Sequence, residues 1–134
     1  MEKNYVLTDF TKNDWSNKEI DFESIKKQIE ICNSKNHISC QINLDNEILK
    51  SYELNDSTRT THIIKNLKFE DKKITGDVKF LDTQFGKIAE EMIKSGDGMF
   101  GIDAVGTMEP IEFLEILAWN IIKTPKNENN NNNN

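Results

Sequence analysis

The chain has few of the features that mark specialised protein classes. Its 134 residues include two cysteines, which are too few for a disulfide-stabilised scaffold. No apolar run approaches the roughly 18 residues that a membrane-spanning helix needs. The first residues are polar and acidic, unlike a secretory leader. We therefore expect an intracellular protein with no membrane partner.

A surplus of basic residues is also missing. The 17 lysines and arginines are scattered among 23 acidic residues, which gives a net charge of −6 and a pI near 5.0. Proteins that bind nucleic acid by neutralising phosphates need a basic face, so we expect no nucleic-acid partner. The spacing of Cys32, His37 and Cys40 fits no familiar set of zinc ligands. We expect both cysteines to pack in the interior, and we expect no metal and no cofactor.

The composition that is present is that of a soluble globular protein. Apolar residues make up 36% of the chain and charged residues 30%. A chain of this length predicts one domain, which we place at residues 1–125. The asparagine-rich residues 126–134 have no apolar side chains to bury and are predicted to be disordered.

Two stretches have the apolar period of an amphipathic helix. The first begins after Asp21, whose carboxylate can cap the free backbone amides. The second begins at Thr83 or Asp82 and ends at Gly96, a typical left-handed cap. The apolar residues of the two predicted helices are Phe22, Ile25, Ile29 and Cys32 in the first, and Phe85, Ile88, Ala89, Met92 and Ile93 in the second.

Most of the remaining chain favours β-strands. Strands are predicted at 4–10, 37–44, 60–69, 72–81 and 99–108, with a tight polar turn at 70–73. Residues 111–123 fit a helix or a strand, and strand is favoured by their short length and the Thr124-Pro125 stop. Residues 11–20 are predicted to be a loop in which Trp15 packs on the core or stacks on a ligand, and 45–59 a long connection. The predicted fold class is α+β.

Residues 60–125 contain several stretches that resemble the motifs of one known family. They are Thr61-His62-Ile63-Ile64, Gly76-Asp77-Val78-Lys79-Phe80-Leu81-Asp82-Thr83, Gly86-Lys87-Ile88-Ala89, Gly101-Ile102 with Gly106, and Leu117-Ala118-Trp119-Asn120-Ile121-Ile122-Lys123-Thr124-Pro125. This pattern resembles the prohead core proteases of tailed bacteriophages. The resemblance implies the fold shared with the herpesvirus assemblin proteases, a small curved antiparallel sheet or β-barrel with two flanking helices. It also implies a role in capsid assembly.

The catalytic set of that family is not complete in this chain. The resemblance implies a serine nucleophile and two histidines. His62 stands where the family has one histidine, but Asp103 and Ala104 replace the serine pair. Residues 40–45 lack the other histidine, and His37 lies too early. His62 is either structural or the remnant of a catalytic site, and Asp103 is either its buried hydrogen-bonded partner or a solvated carboxylate.

These observations predict a non-catalytic relative of the prohead proteases, which acts in capsid assembly or as a virion component. Its partners would be phage capsid or scaffold proteins, with self-association into a homo-oligomer also compatible, and it would reside in the host cytoplasm, the virion or both. One alternative is an active, divergent protease that draws its nucleophile from Ser57, Thr60 or Thr61. Another is an intracellular phage binding module directed against a host protein.

Overall fold

The computed structural model describes residues 2–43 and 59–125, which form six strands and three helices. In chain order these are β1 (Glu2–Asp9), α1 (Asn13–Ser16), α2 (Phe22–Asn33), β2 (Ile38–Gln41), β3 (Thr60–Glu70), β4 (Lys73–Phe80), α3 (Gln84–Ser95), β5 (Gly98–Met108) and β6 (Ile111–Lys123). The predicted α+β class is confirmed. The predicted connection at 45–59 falls outside the described residues except for Arg59, and the predicted tail at 126–134 falls outside them entirely.

Local sequence determines where the two long helices begin and end. The Asp21 carboxylate accepts from the backbone amides of Glu23 at 3.1 Å and Ser24 at 3.3 Å, which caps α2. The Thr83 hydroxyl accepts from the amide of Gly86 at 3.0 Å and caps α3. That helix ends at Gly96, whose φ of 85° is left-handed. Both predicted helices are confirmed.

The first sheet has four antiparallel strands in the order β1-β4-β3-β2. Strands β3 and β4 form a hairpin in which Glu70 pairs with Lys73, so that Asp71 and Lys72 alone make the turn. Both turn residues have positive φ, as the twist of a two-residue hairpin favours. The predicted turn at 70–73 is confirmed.

The second sheet is the long hairpin β5–β6, which turns at Glu109-Pro110. Residues 111–123 are therefore a strand rather than a helix, as the sequence favoured. The pairing with β5 shifts register twice, and in both places the extra residue lies on β6, first Leu117 and then Leu114. Because the bulges lie on β6, strand β5 remains regular along its length.

The two sheets share one hydrophobic core. Trp119 of β6 is fully buried and donates from Nε1 to the Thr8 hydroxyl of β1 at 2.8 Å. An isolated bridge joins Ile42 to Ile121, and the Asn43 amide donates to the Ile121 carbonyl at 2.8 Å. The first sheet is thereby joined through β2 to one edge of the hairpin.

The predicted loop at 11–20 needs one correction. It contains the one-turn helix α1, which carries Trp15. The Trp15 ring lies 5.2 Å from that of Phe10 and 6.3 Å from that of Phe113, so it packs on the core as expected. Among the helices of the described ranges, none combines the length and the apolarity that crossing a bilayer requires.

Candidate functional site

His62 lies near the start of β3, between Cys40 of β2 and Phe80 of β4. Its side chain has no solvent-exposed surface. The imidazole centre is 5.7 Å from the Phe80 ring and 5.8 Å from the Phe100 ring. The histidine that the resemblance singled out is therefore enclosed by aromatic side chains.

Both ring nitrogens of His62 have hydrogen-bond partners. Nε2 is 2.9 Å from the Trp119 carbonyl oxygen. Because a carbonyl only accepts, Nε2 carries the hydrogen, and in the neutral ring Nδ1 accepts from the Thr61 hydroxyl at 2.8 Å. Burial lowers the pKa of His62 to about 4, although the bond to Trp119 acts in the opposite direction. The ring is neutral at pH 7 in this tautomer.

The row of Thr61 hydroxyl, His62 imidazole and Trp119 carbonyl has the order of a nucleophile, a base and an orienting group. Its surroundings prevent that use in this conformation. The Thr61 side chain is 1% exposed and His62 is 0% exposed, so a peptide carbonyl cannot reach the hydroxyl. The orienting group is also uncharged and stabilises an imidazolium less than a carboxylate would. Here His62 is a structural histidine that links β3 to β6.

Asp103 lies elsewhere in the molecule. It sits on β5 opposite Ala118, in the hairpin sheet, and its side chain is exposed. Within the described residues, β5 pairs only with β6, so Asp103 and Ala104 do not lie on a strand paired with that of His62. The buried His62–Asp103 couple considered from sequence is therefore wrong, and the solvated carboxylate is what the structure contains. Phe100 of β5 faces the imidazole instead.

The other candidate nucleophiles are less well placed or lie outside the description. Thr60 is partly buried opposite Gln41, and Ser57 lies outside the described residues. Both cysteines are buried free thiols, as predicted. Burial raises the pKa of Cys40 to about 12 and also raises that of Cys32, so neither is a reactive thiolate at neutral pH. Across 2–43 and 59–125, no three or more His, Cys, Asp and Glu side chains gather as metal ligands would.

Sequence reasoning overlooked the hairpin as a candidate binding surface. Two adjoining cavities, of about 570 and 380 Å³, run beside β5, and both are lined by Trp15 and Ile102. A charge imbalance in the sequence could have indicated this surface. Between Lys94 and Lys123 there are five carboxylates and no lysine or arginine. They are Asp97, Asp103, Glu109, Glu112 and Glu115.

Comparison of the chain with protein-family models, with curated proteins and with solved structures found no match in any of the three.

Proposed function

We propose that this chain is a non-catalytic relative of the phage prohead proteases that acts through protein–protein contact in capsid assembly. The sequence motifs of residues 60–125 support the relationship. The proposal includes the assemblin-like fold, with the four-stranded sheet and the hairpin as two parts of one curved wall. The bridge between Ile42 and Ile121 supports this reading, because it already joins the two sheets along one side.

The enclosure of His62 carries the proposal. A general base must lie within hydrogen-bond reach of the group whose proton it removes, and that group must reach the substrate. His62 has no exposed surface, and its two nitrogens are engaged by Thr61 and Trp119. Its pKa of about 4 also makes it a weak base at neutral pH. A histidine in this state stabilises the fold. The proposed function therefore depends on contacts made by the exposed surface of the chain.

One observation favours the alternative of an active, divergent protease. The Thr61 hydroxyl is 2.8 Å from Nδ1 of His62, a distance suited to proton transfer. For this pair to act on a peptide, the rings of Phe80 and Phe100 would have to move away from the imidazole. A binding module directed against a host protein is the third candidate, and it would use the same exposed surface as the first.

Labelling separates the catalytic and non-catalytic candidates. The full chain is treated with a fluorophosphonate probe and, separately, incubated with capsid and scaffold proteins. We expect neither labelling nor cleavage. Labelling or cleavage that disappears in Thr61→Val or Ser57→Ala, with His37→Gln as the control variant, would establish the active protease.

Particle association separates the two binding candidates. Proheads and mature virions are purified from infected cells, and the protein is detected with an antibody. We expect it to co-purify with the particles. Its absence from particles, together with a stable complex with a host protein, would replace the capsid role with the host-directed one.

A further inference from the structure

The two edges of the hairpin sheet differ in how their backbone groups are used. On the β6 edge, Ile20 and Ile42 form bridges near the two ends of the strand. Between them, side chains of α2 bond the backbone. The Ser24 hydroxyl accepts from the Phe113 amide at 2.9 Å, and Gln28 bonds both the Leu114 carbonyl and the Ile116 amide at 3.0 and 3.2 Å. The β6 edge is therefore covered.

Among the described residues, none covers the outer edge of β5 in this way. Within residues 2–43 and 59–125, the backbone of β5 hydrogen-bonds only to β6. A regular strand with unpaired amides and carbonyls along one side is a template for a further strand. Near Phe100 the edge is close to β1, where the Tyr5 ring lies 5.4 Å from that of Phe100. The accessible portion is therefore residues 102–108.

The groove beside this edge is mainly apolar, with Lys18 and Glu112 as its charged lining residues. Ile102, Ala104 and Met108 line it from β5, and Trp15 lines it from α1. These three β5 residues have the same parity, so their side chains share one face of the strand. An added strand would place alternate side chains against this face, and those side chains should be apolar.

The opposite face of the hairpin is acidic. Asp103 and Val105 lie two residues apart on β5, and Glu115 pairs directly with Val105, so all three side chains share that face and are exposed. Lys12 and Lys18, which flank α1 in the chain, line the groove on the other side of the hairpin. The other alternate side chains of an added strand should therefore be basic.

We propose that residues 102–108 of β5 bind an extended peptide segment of a partner protein, in which apolar and basic residues alternate, as an added β-strand. This inference rests on the proposed protein-binding function and gives the partner a chemistry. Seven residues of strand span about 23 Å at about 3.3 Å per residue, so a short linear segment is enough. A second copy of the chain fits less well, because pairing β5 with β5 would bring two acidic faces together.

The test uses the full chain and a synthetic peptide of sequence TKVKVKIKVT, with TEVEVEIEVT as its acidic counterpart. Binding is followed by amide NMR shifts and by hydrogen exchange at low salt. The basic peptide should bind saturably and protect β5 amides between Ile102 and Met108. The acidic peptide should bind about tenfold more weakly or not at all, a difference of about 1.4 kcal/mol.

A matched pair of variants tests the location. Val105 is 52% exposed on β5 and Ile31 is 49% exposed on α2, so Val105→Lys and Ile31→Lys make the same charge change at nearly equal exposure. Val105→Lys should weaken binding about tenfold, and Ile31→Lys less than about threefold. If Val105→Lys does not fold, Asp103→Asn, which raises the charge by the same one unit at an exposed position, replaces it.

Four results would overturn the proposal. They are the absence of saturable binding, protection on another strand, equal weakening by the β5 and α2 variants, and protection of β5 that rises with protein concentration without peptide. The last would assign the edge to a second copy. If the peptide tests fail while the protein is still present in particles, only the docking site is refuted. If the protein is absent from particles, or if it has peptidase activity, the proposed function itself is refuted.

Discussion

Acidification from pH 7 to pH 4.5 should destabilise the folded protein through His62. Burial lowers the pKa of His62 from its ordinary value of 6.5 to about 4 in the folded state. As the pH falls below 6.5, His62 becomes protonated in the unfolded chain but stays neutral in the folded chain. The stabilisation is therefore complete above pH 6.5 and declines down to about pH 4. The difference in pKa corresponds to a loss of about 3 kcal/mol in the free energy of unfolding over that window.

Urea denaturation at a series of pH values measures this effect. In His62→Gln the titrating group is gone, so the part of the pH slope between 6.5 and 4.5 that comes from His62 should disappear, at about 1.4 kcal/mol per pH unit. The variant should also lose about 2 kcal/mol at pH 7 because a fully buried, twice-bonded ring is replaced. His37→Gln is the matched control, since the His37 side chain is exposed.

Two carboxylates change the free energy of unfolding in a separate, more acidic pH window. Hydrogen bonds from Thr11 lower the pKa of Asp9, and those from Asn4 and Asn66 lower the pKa of Asp77. Their contributions are complete above the ordinary value of 3.8 and are lost only as the pH falls below it. The slope between pH 6.5 and 4.5 therefore isolates His62 from this pair.

Direct titration gives the result that would refute the reasoning. The imidazole C–H resonances of His62 should shift with a midpoint near pH 4. A midpoint near 6.5, or identical pH slopes for the wild type and His62→Gln, would show that the ring is reachable by solvent. That outcome would also remove the main support for a non-catalytic His62.

Two further predictions concern stability at pH 7. Gln28→Leu should cost about 2 kcal/mol in urea denaturation, because it leaves the buried amide of Ile116 without its partner. Lys27→Leu, an exposed neighbour on the same helix, should change stability by less than about 0.5 kcal/mol. Gly86→Ala should cost about 2 kcal/mol or more, because a Cβ there would overlap the carbonyl oxygen of Leu81 at the start of α3.

Each of these predictions has a result that contradicts it. Equal effects of Gln28→Leu and Lys27→Leu would mean that water or a shifted strand accepts the hydrogen bond of the Ile116 amide in place of Gln28. For Gly86 the comparison is Gly96→Ala, where a Cβ meets nothing within 4 Å but φ is +85°. That control should cost about 1 kcal/mol from backbone strain alone. A Gly86 variant no less stable than the Gly96 variant would show that the start of α3 shifts to make room.

Periodicity and capping were sufficient for the two long helices, whereas the one-turn helix α1 was missed. The apolar repeat of α2, the cap at Asp21 and the stop at Gly96 act over a few residues, so they can be read from the chain directly. The two-residue turn at Asp71 and Lys72 is equally local. The bulges at Leu114 and Leu117 were not predictable, because they depend on which residues of β5 and α2 face each one.

The candidate site depended much more on tertiary structure. The sequence alone determined that Asp103 and Ala104 stand where the resemblance implies a serine pair, since residue identity decides which chemistry is available. It also determined the charge imbalance between Lys94 and Lys123. Whether His62 and Asp103 meet is a matter of strand pairing over some forty residues, and no local pattern specifies it.

Tertiary structure placed His62 and Asp103 in different sheets. It also buried the imidazole, with hydrogen bonds to the Thr61 hydroxyl and the Trp119 carbonyl. Within residues 2–43 and 59–125, it also covered the edge of β6 and left the outer edge of β5 unpaired. Such outcomes depend on contacts between residues far apart in the chain, such as Gln28 with Ile116, and each of those contacts forms only when the whole core is assembled.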